Sequence, residues 1–135
     1  MDTEDTQAIL DGRKTQFREA INLSSFIGGT AKELIETHSK HQVNDTLYIE
    51  GGDTVVGDII VKIINVRVEE LDDISIEDCY SEGIDPFDVL ELLDGTESKE
   101  YEVFKGVWNK KAKKGYKYED NPYVFVYDFE VVEDA

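Results

Sequence analysis

Arg13-Lys14-Thr15 is the first stretch of this chain whose side chains suit chemistry. Two cations and a hydroxyl sit where a helix stop at Gly12 gives way to an extended segment, a geometry that suits phosphate or carbonyl oxygens. Isolated surface charges of this kind are also common without any task. A second candidate is the pair His38 and His41. No Cys or Glu cluster accompanies it, so two helix-end histidines explain it better than a metal does. A third is the acidic run containing Asp72, Asp73, Glu77 and Asp78. Carboxylates are hard oxygen donors for a divalent cation, but the spacing does not resemble a calcium loop. The same acids fall where a helix N-terminus favours negative charge. No metal or cofactor is expected. The chain contains no phosphate-binding glycine loop, no Gly-x-Ser-x-Gly elbow and no metalloprotease helix.

The composition limits what those residues serve. The chain has 135 residues and a formal net charge of −17, with 40% hydrophobic residues. That length suits one domain spanning 1–135, large enough to bury a core without metal or disulfide staples. Phosphate affinity comes largely from Lys and Arg, so broad binding to nucleic acid or anionic membrane is disfavoured. The charge is uneven, however. Residues 69–102 hold 14 acids against one base, Lys99, for a net of −13. Downstream, Lys105, Lys110, Lys111, Lys113, Lys114 and Lys117 fall in one acid-free stretch. A local nucleotide-sized site is compatible with this distribution. So is a basic protein partner for 69–102, met by carboxylates that imitate a phosphate backbone or by a simpler acidic surface.

Cys79 is the sole cysteine, which excludes an internal disulfide and points to a reducing compartment. The acidic opening Met1-Asp2-Thr3-Glu4-Asp5 is unlike a secretory or transit peptide, and no apolar run approaches the ~18 residues of a membrane span. A cytoplasmic location is the expectation.

The elements that must position these groups follow from caps and periodicity. A short helix is expected over 4–10, then a short strand or extended segment from Lys14 to Ile21. Thr30-Ala31-Lys32-Glu33 has capping-box spacing and starts a helix to about Ser39. A strand is expected over 46–50, a turn at Gly51-Gly52-Asp53, and a long central strand over 55–68. In that strand Ile64, Val66 and Val68 share one parity, and Ile63, Asn65 and Arg67 the other. Ser75 and Asp85-Pro86 start two further helices. The first ends at Gly83; the second places Phe87, Leu90 and Leu93 inward and stops at Gly95. Tyr101, Phe104 and Trp108 at helical spacing mark a helix over 100–113, closed by Gly115. A last strand over 123–132 puts Tyr123, Phe125, Tyr127, Phe129 and Val131 on one face. Strands flanking a helical middle indicate an α+β domain.

Several segments, taken in order, resemble the ASCH family of PUA-like domains. Ala8-Ile9-Leu10-Asp11-Gly12-Arg13-Lys14-Thr15-Gln16 is similar to its opening motif, and Asp45 to Glu50 to an early barrel strand. Ile59 to Val68 with Glu69 to Ser75 resembles the long strand and the entry to the next helix. Glu77 to Gly83 resembles a helix ending in Glu-Gly. Phe104 to Trp108 and Asn121 to Val126 are similar to the closing helix and strand of phage-type members. The resemblance implies a small β-barrel with flanking helices and a cleft suited to RNA or a modified nucleoside. Its acetylcytidine amidohydrolase branch uses a Lys, a Thr and a Glu. Carried across, these fall on Lys14, Phe17 and Glu82, so Phe17 replaces the hydroxyl nucleophile unless Thr15 or water takes its place.

The resulting expectation is a ligand site of Arg13, Lys14, Thr15, Phe17, Arg18, Glu82 and Trp108. Arg13, Lys14 and Arg18 would meet phosphate or carbonyl oxygens, Glu82 a base edge, and Phe17 or Trp108 would stack. The competing expectations are an interaction protein acting through 69–102 and an amidohydrolase with Lys14 and Glu82 as catalytic residues. A plain ion pair between Glu82 and Lys14 or Arg13 is the structural alternative.

Overall fold

The computed structural model describes residues 3–26, 28–49, 59–92 and 99–132. Most elements begin where the local capping chemistry places them. Helix α1 (Thr3–Leu10) ends before Gly12, whose φ of +78° only glycine adopts cheaply. Strand β1 (Gln16–Ala20) follows, then helix α2 (Ala31–His38), where the Thr30 hydroxyl accepts from the Glu33 N–H. Strand β2 (Thr46–Ile49) leads to the long strand β3 (Ile59–Glu70). The Ser75 hydroxyl caps helix α3 (Ile76–Ser81), and the Asp85 carboxylate caps helix α4 (Pro86–Glu91), with proline at its first turn. Helix α5 (Lys99–Lys111) and strand β4 (Tyr123–Val131) complete the order. The expected turn at 51–53, the start of the long strand at 55–58, and Leu93 and Gly95 lie outside the described residues.

The four strands form one antiparallel sheet in the order β1-β4-β3-β2, curled into a half-barrel with helices against it. Strand β4 is interior, so both its faces are apolar. Phe125, Tyr127 and Phe129 pack into one core with Ile9, Leu34, Val61 and Ile63. Val124 and Val126 face the other, with Cys79 of α3, Ile84, Val89 and Phe104 of α5. Burying these side chains supplies the main driving force, at roughly 1.5–3 kcal/mol for each large one. No described helix is long and apolar enough to cross a membrane.

Two details of the fold differ from the periodicity. A bulge between Ile63 and Asn65 changes the parity of β3. Ile63 before it and Val66 and Val68 after it all pack toward the first core, which a regular strand would forbid. The bulge thereby turns Asn65, Arg67 and Glu69 to the opposite face, toward α3. Helix α4 is also too short for a three-residue inward stripe. Its buried residue is Val89, whereas Phe87 and Leu90 are 73% and 75% exposed.

Burial of two weak acids gives the fold an alkaline limit. Burial pushes the Cys79 thiol from its ordinary 9.0 up to about 12. It does the same for the Tyr127 phenol from 10.0 up to about 12, helped by the negative charge of Glu19. Above those ordinary values the unfolded chain loses protons that the folded chain keeps. The part of the stability that depends on these two groups is therefore full below about pH 9 and falls as pH rises toward 12. Urea midpoints measured between pH 8 and 11 are expected to decline, and Cys79 is expected to resist alkylation at pH 8 until the chain unfolds.

Candidate functional site

Strand alternation places Gln16 and Arg18 of β1 on the face that looks toward α3. Register then brings Asp128 of β4 beside Gln16, and Asn65 and Arg67 of β3 beside Asp128 and Val126. From the other side, α3 presents Asp78 and, at its end, Glu82, four residues apart and so on one helix face. These residues form one ionic network.

Arg18 is its centre. Its side chain is fully shielded from solvent, yet it carries a charge that must be matched. Nη1 donates to Glu82 Oε2 (2.8 Å) and to Gln16 Oε1, and Nη2 donates to Glu69 Oε1 (2.7 Å) and Asp78 Oδ2 (3.3 Å). Burial lowers the guanidinium pKa, but Glu82 and Glu69 more than offset this and hold it above its ordinary value. Arg67 links Asp78 (2.9 Å) to Asp128 (3.2 Å), and Gln16 Nε2 donates to Asp128 Oδ1 (2.7 Å). Lys14 is equally committed. Its ammonium donates to the Gln16 carbonyl (3.1 Å), the Glu82 carbonyl (2.8 Å) and Glu82 Oε1 (3.4 Å), which accounts for all three protons.

Gly83 lets this corner close. Its φ is +95°, and a Cβ there would lie 3.0 Å from the Lys14 Cβ. Gly83→Ala is expected to cost about 1–3 kcal/mol, read as a lower urea midpoint, because backbone strain and the clash act together.

Beside the network lies a cleft of about 1010 Å³. Its border includes β1 and the residues after it, through Arg18, Ala20 and Asn22, and α5 with its following turn, through Trp108, Lys111, Lys113 and Tyr116. Lys14, Glu82 and Ile84 also border it, and Arg13, Asp85 and Asp88 add charge. The Trp108 indole N–H donates to the Tyr116 carbonyl (2.8 Å), which fixes the ring in place. Phe104 packs against the ring at 6.2 Å between centroids.

Of the residues expected from sequence, Arg13, Lys14, Phe17, Arg18, Glu82 and Trp108 border this one cleft. Thr15 does not. Its N–H donates to the Ser81 carbonyl and its carbonyl accepts from the Phe129 N–H, so it joins β1 to its neighbours. Phe17 reaches the cleft border, but its ring stacks on Tyr127 at 4.7 Å and packs against Phe129 in the core. Alternation explains this, since Phe17 and Arg18 must point to opposite faces. Lys14 and Arg18 each bond to Glu82 at the border of the cleft, and the Lys14–Glu82 contact is an ion pair of the kind the structural alternative describes. The two histidines are half-buried and serve as aromatic rings, His38 against Phe26 and His41 against Phe17 and Tyr127. Gln16, Arg67, Glu69 and Asp128 were not anticipated. Asp128 carried a signal, as the acid that directly follows Val124 and Val126 on one face of an interior strand.

The acidic block also takes a different form. Glu69, Asp78 and Glu82 turn inward to neutralise Arg18 and its neighbours. Glu70, Asp72 and Asp73 remain outside, the one carboxylate cluster of metal-binding dimensions among the described residues.

Comparison with solved structures supplies the fold. An ASCH domain from Lactobacillus crispatus superposes over 97% of this chain and 74% of its own, with a TM-score of 0.52 and 15% identity. This chain has the ASCH fold. A DUF984 protein from Enterococcus faecalis matches the same ASCH fold over 94% of this chain, with a TM-score of 0.59 and 14% identity; the chain covers 66% of that protein's length. No protein-family model and no curated protein matches at sequence level. The ASCH fold accounts for the half-barrel and its flanking helices.

Proposed function

We propose that the chain binds a nucleotide, a nucleoside or a short single-stranded RNA element in the cleft and does no chemistry on it. The observation that carries this is the pairing of a fixed, half-buried Trp108 with three cations, Arg13, Lys111 and Lys113, around one concavity in a protein of net charge −17. An aromatic face for a base and cations for phosphate are the two parts that single-stranded nucleic acid requires. The volume is that of a small-molecule site. The ASCH fold, a PUA-like fold often associated with RNA, agrees with this reading.

The amidohydrolase alternative loses support at the same place. Among the described residues bordering the cleft there is no Ser, Thr or Cys to act as nucleophile, which leaves that reading dependent on water. Lys14 has no proton left for an oxyanion without giving up Glu82 or Gln16. An acidic docking surface is reduced by the inward turn of Glu69, Asp78 and Glu82.

Calorimetric titration with the four nucleoside 5′-monophosphates and short single-stranded RNAs tests the proposal. Saturable binding of at least one is expected. With three cations engaged by phosphates of a single-stranded RNA, log K should fall against log salt with a slope of roughly −2. Absence of binding across the whole panel overturns it.

A further inference from the structure

The outer edge of β1 runs along the cleft, where Arg18 and Ala20 border it. Strand β1 is an edge strand, paired among the described strands with β4 alone. The flanking bonds set its pattern: the Phe129 N–H donates to the Thr15 carbonyl (3.0 Å), and the Ile21 N–H donates to the Tyr123 carbonyl (2.9 Å). In an antiparallel ladder the residues that exchange both bonds alternate with residues whose N–H and C=O point away. Odd positions Phe17 and Glu19 therefore bond to β4, and even positions Gln16, Arg18 and Ala20 face outward. The Gln16 carbonyl agrees, since it accepts from Lys14 Nζ instead of from β4. Arg18 and Ala20 both border the cleft.

We propose that the outward N–H and C=O of Ala20, next to the more buried pair of Arg18, read the hydrogen-bonding edge of a nucleobase lying in the cleft. The two groups of one extended residue point the same way, side by side, as a donor beside an acceptor. A base edge that places an acceptor beside a ring N–H or an amino group is their complement. Trp108 takes the face of the base while β1 takes its edge. A buried donor and acceptor left unpaired by the wrong occupant cost more than the paired bonds yield, which is what makes such a contact selective. This inference rests on the nucleotide reading of the cleft and adds that the free edge of the base is required.

Two probes test it. In the first, the tightest-binding nucleoside monophosphate is compared with its edge-blocked analogue. That analogue is methylated at the ring imide nitrogen for uracil or guanine, or dimethylated at the exocyclic amine for adenine or cytosine. At least tenfold weaker binding of the analogue is expected. In the second, Ala20→Pro deletes an N–H that the β1–β4 ladder does not use, a substitution that edge strands tolerate. Its circular dichroism should match the parent while affinity falls at least tenfold. Glu19→Pro, which removes a ladder bond, should instead unfold or weaken the sheet. If nucleotides bind and the blocked analogue binds equally well, edge reading is overturned and the cleft proposal stands. The same follows if folded Ala20→Pro binds as the parent does. If no nucleotide binds, the cleft proposal itself has failed and this inference fails with it. Should Ala20→Pro not fold, the analogue comparison decides alone.

Discussion

Arg18→Met is expected to destabilise the chain by about 3–5 kcal/mol, measured by urea unfolding at neutral pH. The guanidinium is shielded on all sides and faces Glu82, Glu69 and Asp78 at 2.8, 2.7 and 3.3 Å. Met fills much of the same space but leaves three crowded carboxylates without their central cation. Those carboxylates keep 11–24% of their side-chain surface, so water relieves part of the cost and the lower half of the range is favoured. Even that is a large share of the ~5–15 kcal/mol that holds a domain together. Adding Glu82→Gln to Arg18→Met should recover part of the loss, since the pair acts as a unit, with a coupling of about 1–3 kcal/mol. A single variant within 1 kcal/mol of the parent would show that the network does not hold α3 to the sheet.

Trp108→Leu should weaken nucleotide binding by roughly 5- to 150-fold, corresponding to about 1–3 kcal/mol per stacked base. Leucine keeps apolar contact with Phe104 and so preserves most of the packing behind the ring. What it removes is the flat face held in place by the Tyr116 carbonyl. Lys113→Ala, at an exposed position, should act differently. It should lower affinity for phosphate-bearing ligands only. For a single-stranded RNA it should also flatten the salt dependence, by roughly 0.7 in slope for each phosphate that is no longer neutralised. A nucleoside without phosphate should bind both parent and Lys113→Ala alike. Equal affinity of parent and Trp108→Leu for every ligand would remove the stacking role.

Local chemistry made the helix starts legible. Thr30, Ser75 and Asp85 each cap the helix expected of them, because a cap is decided within three residues. The inward face of α4 was not legible, since six residues cannot establish a stripe and tertiary packing chose Val89 over Phe87 and Leu90. The bulge in β3 was hidden because Ile63 and Ile64 are both apolar, so the pattern looks regular across the irregularity. In the site, Arg13, Lys14 and Arg18 were visible as cations at a turn-to-strand junction. Glu82 entered only through resemblance to a known family. The partners that fix these side chains depend on register between distant strands. Gln16 and Asp128, hydrogen-bonded at 2.7 Å, are 112 positions apart, and nothing local connects them.

The central claim is that one cleft, between β1 and α5, receives a nucleotide. Amide chemical-shift mapping of the ¹⁵N-labelled protein during titration with the tightest-binding nucleoside monophosphate tests it most directly. The expected result is a saturable set of shifts at Arg13, Ala20, Lys111 and Lys113 and at the Trp108 indole N–H. Shifts confined to Glu70, Asp72 and Asp73, or no shifts at millimolar ligand, would contradict it.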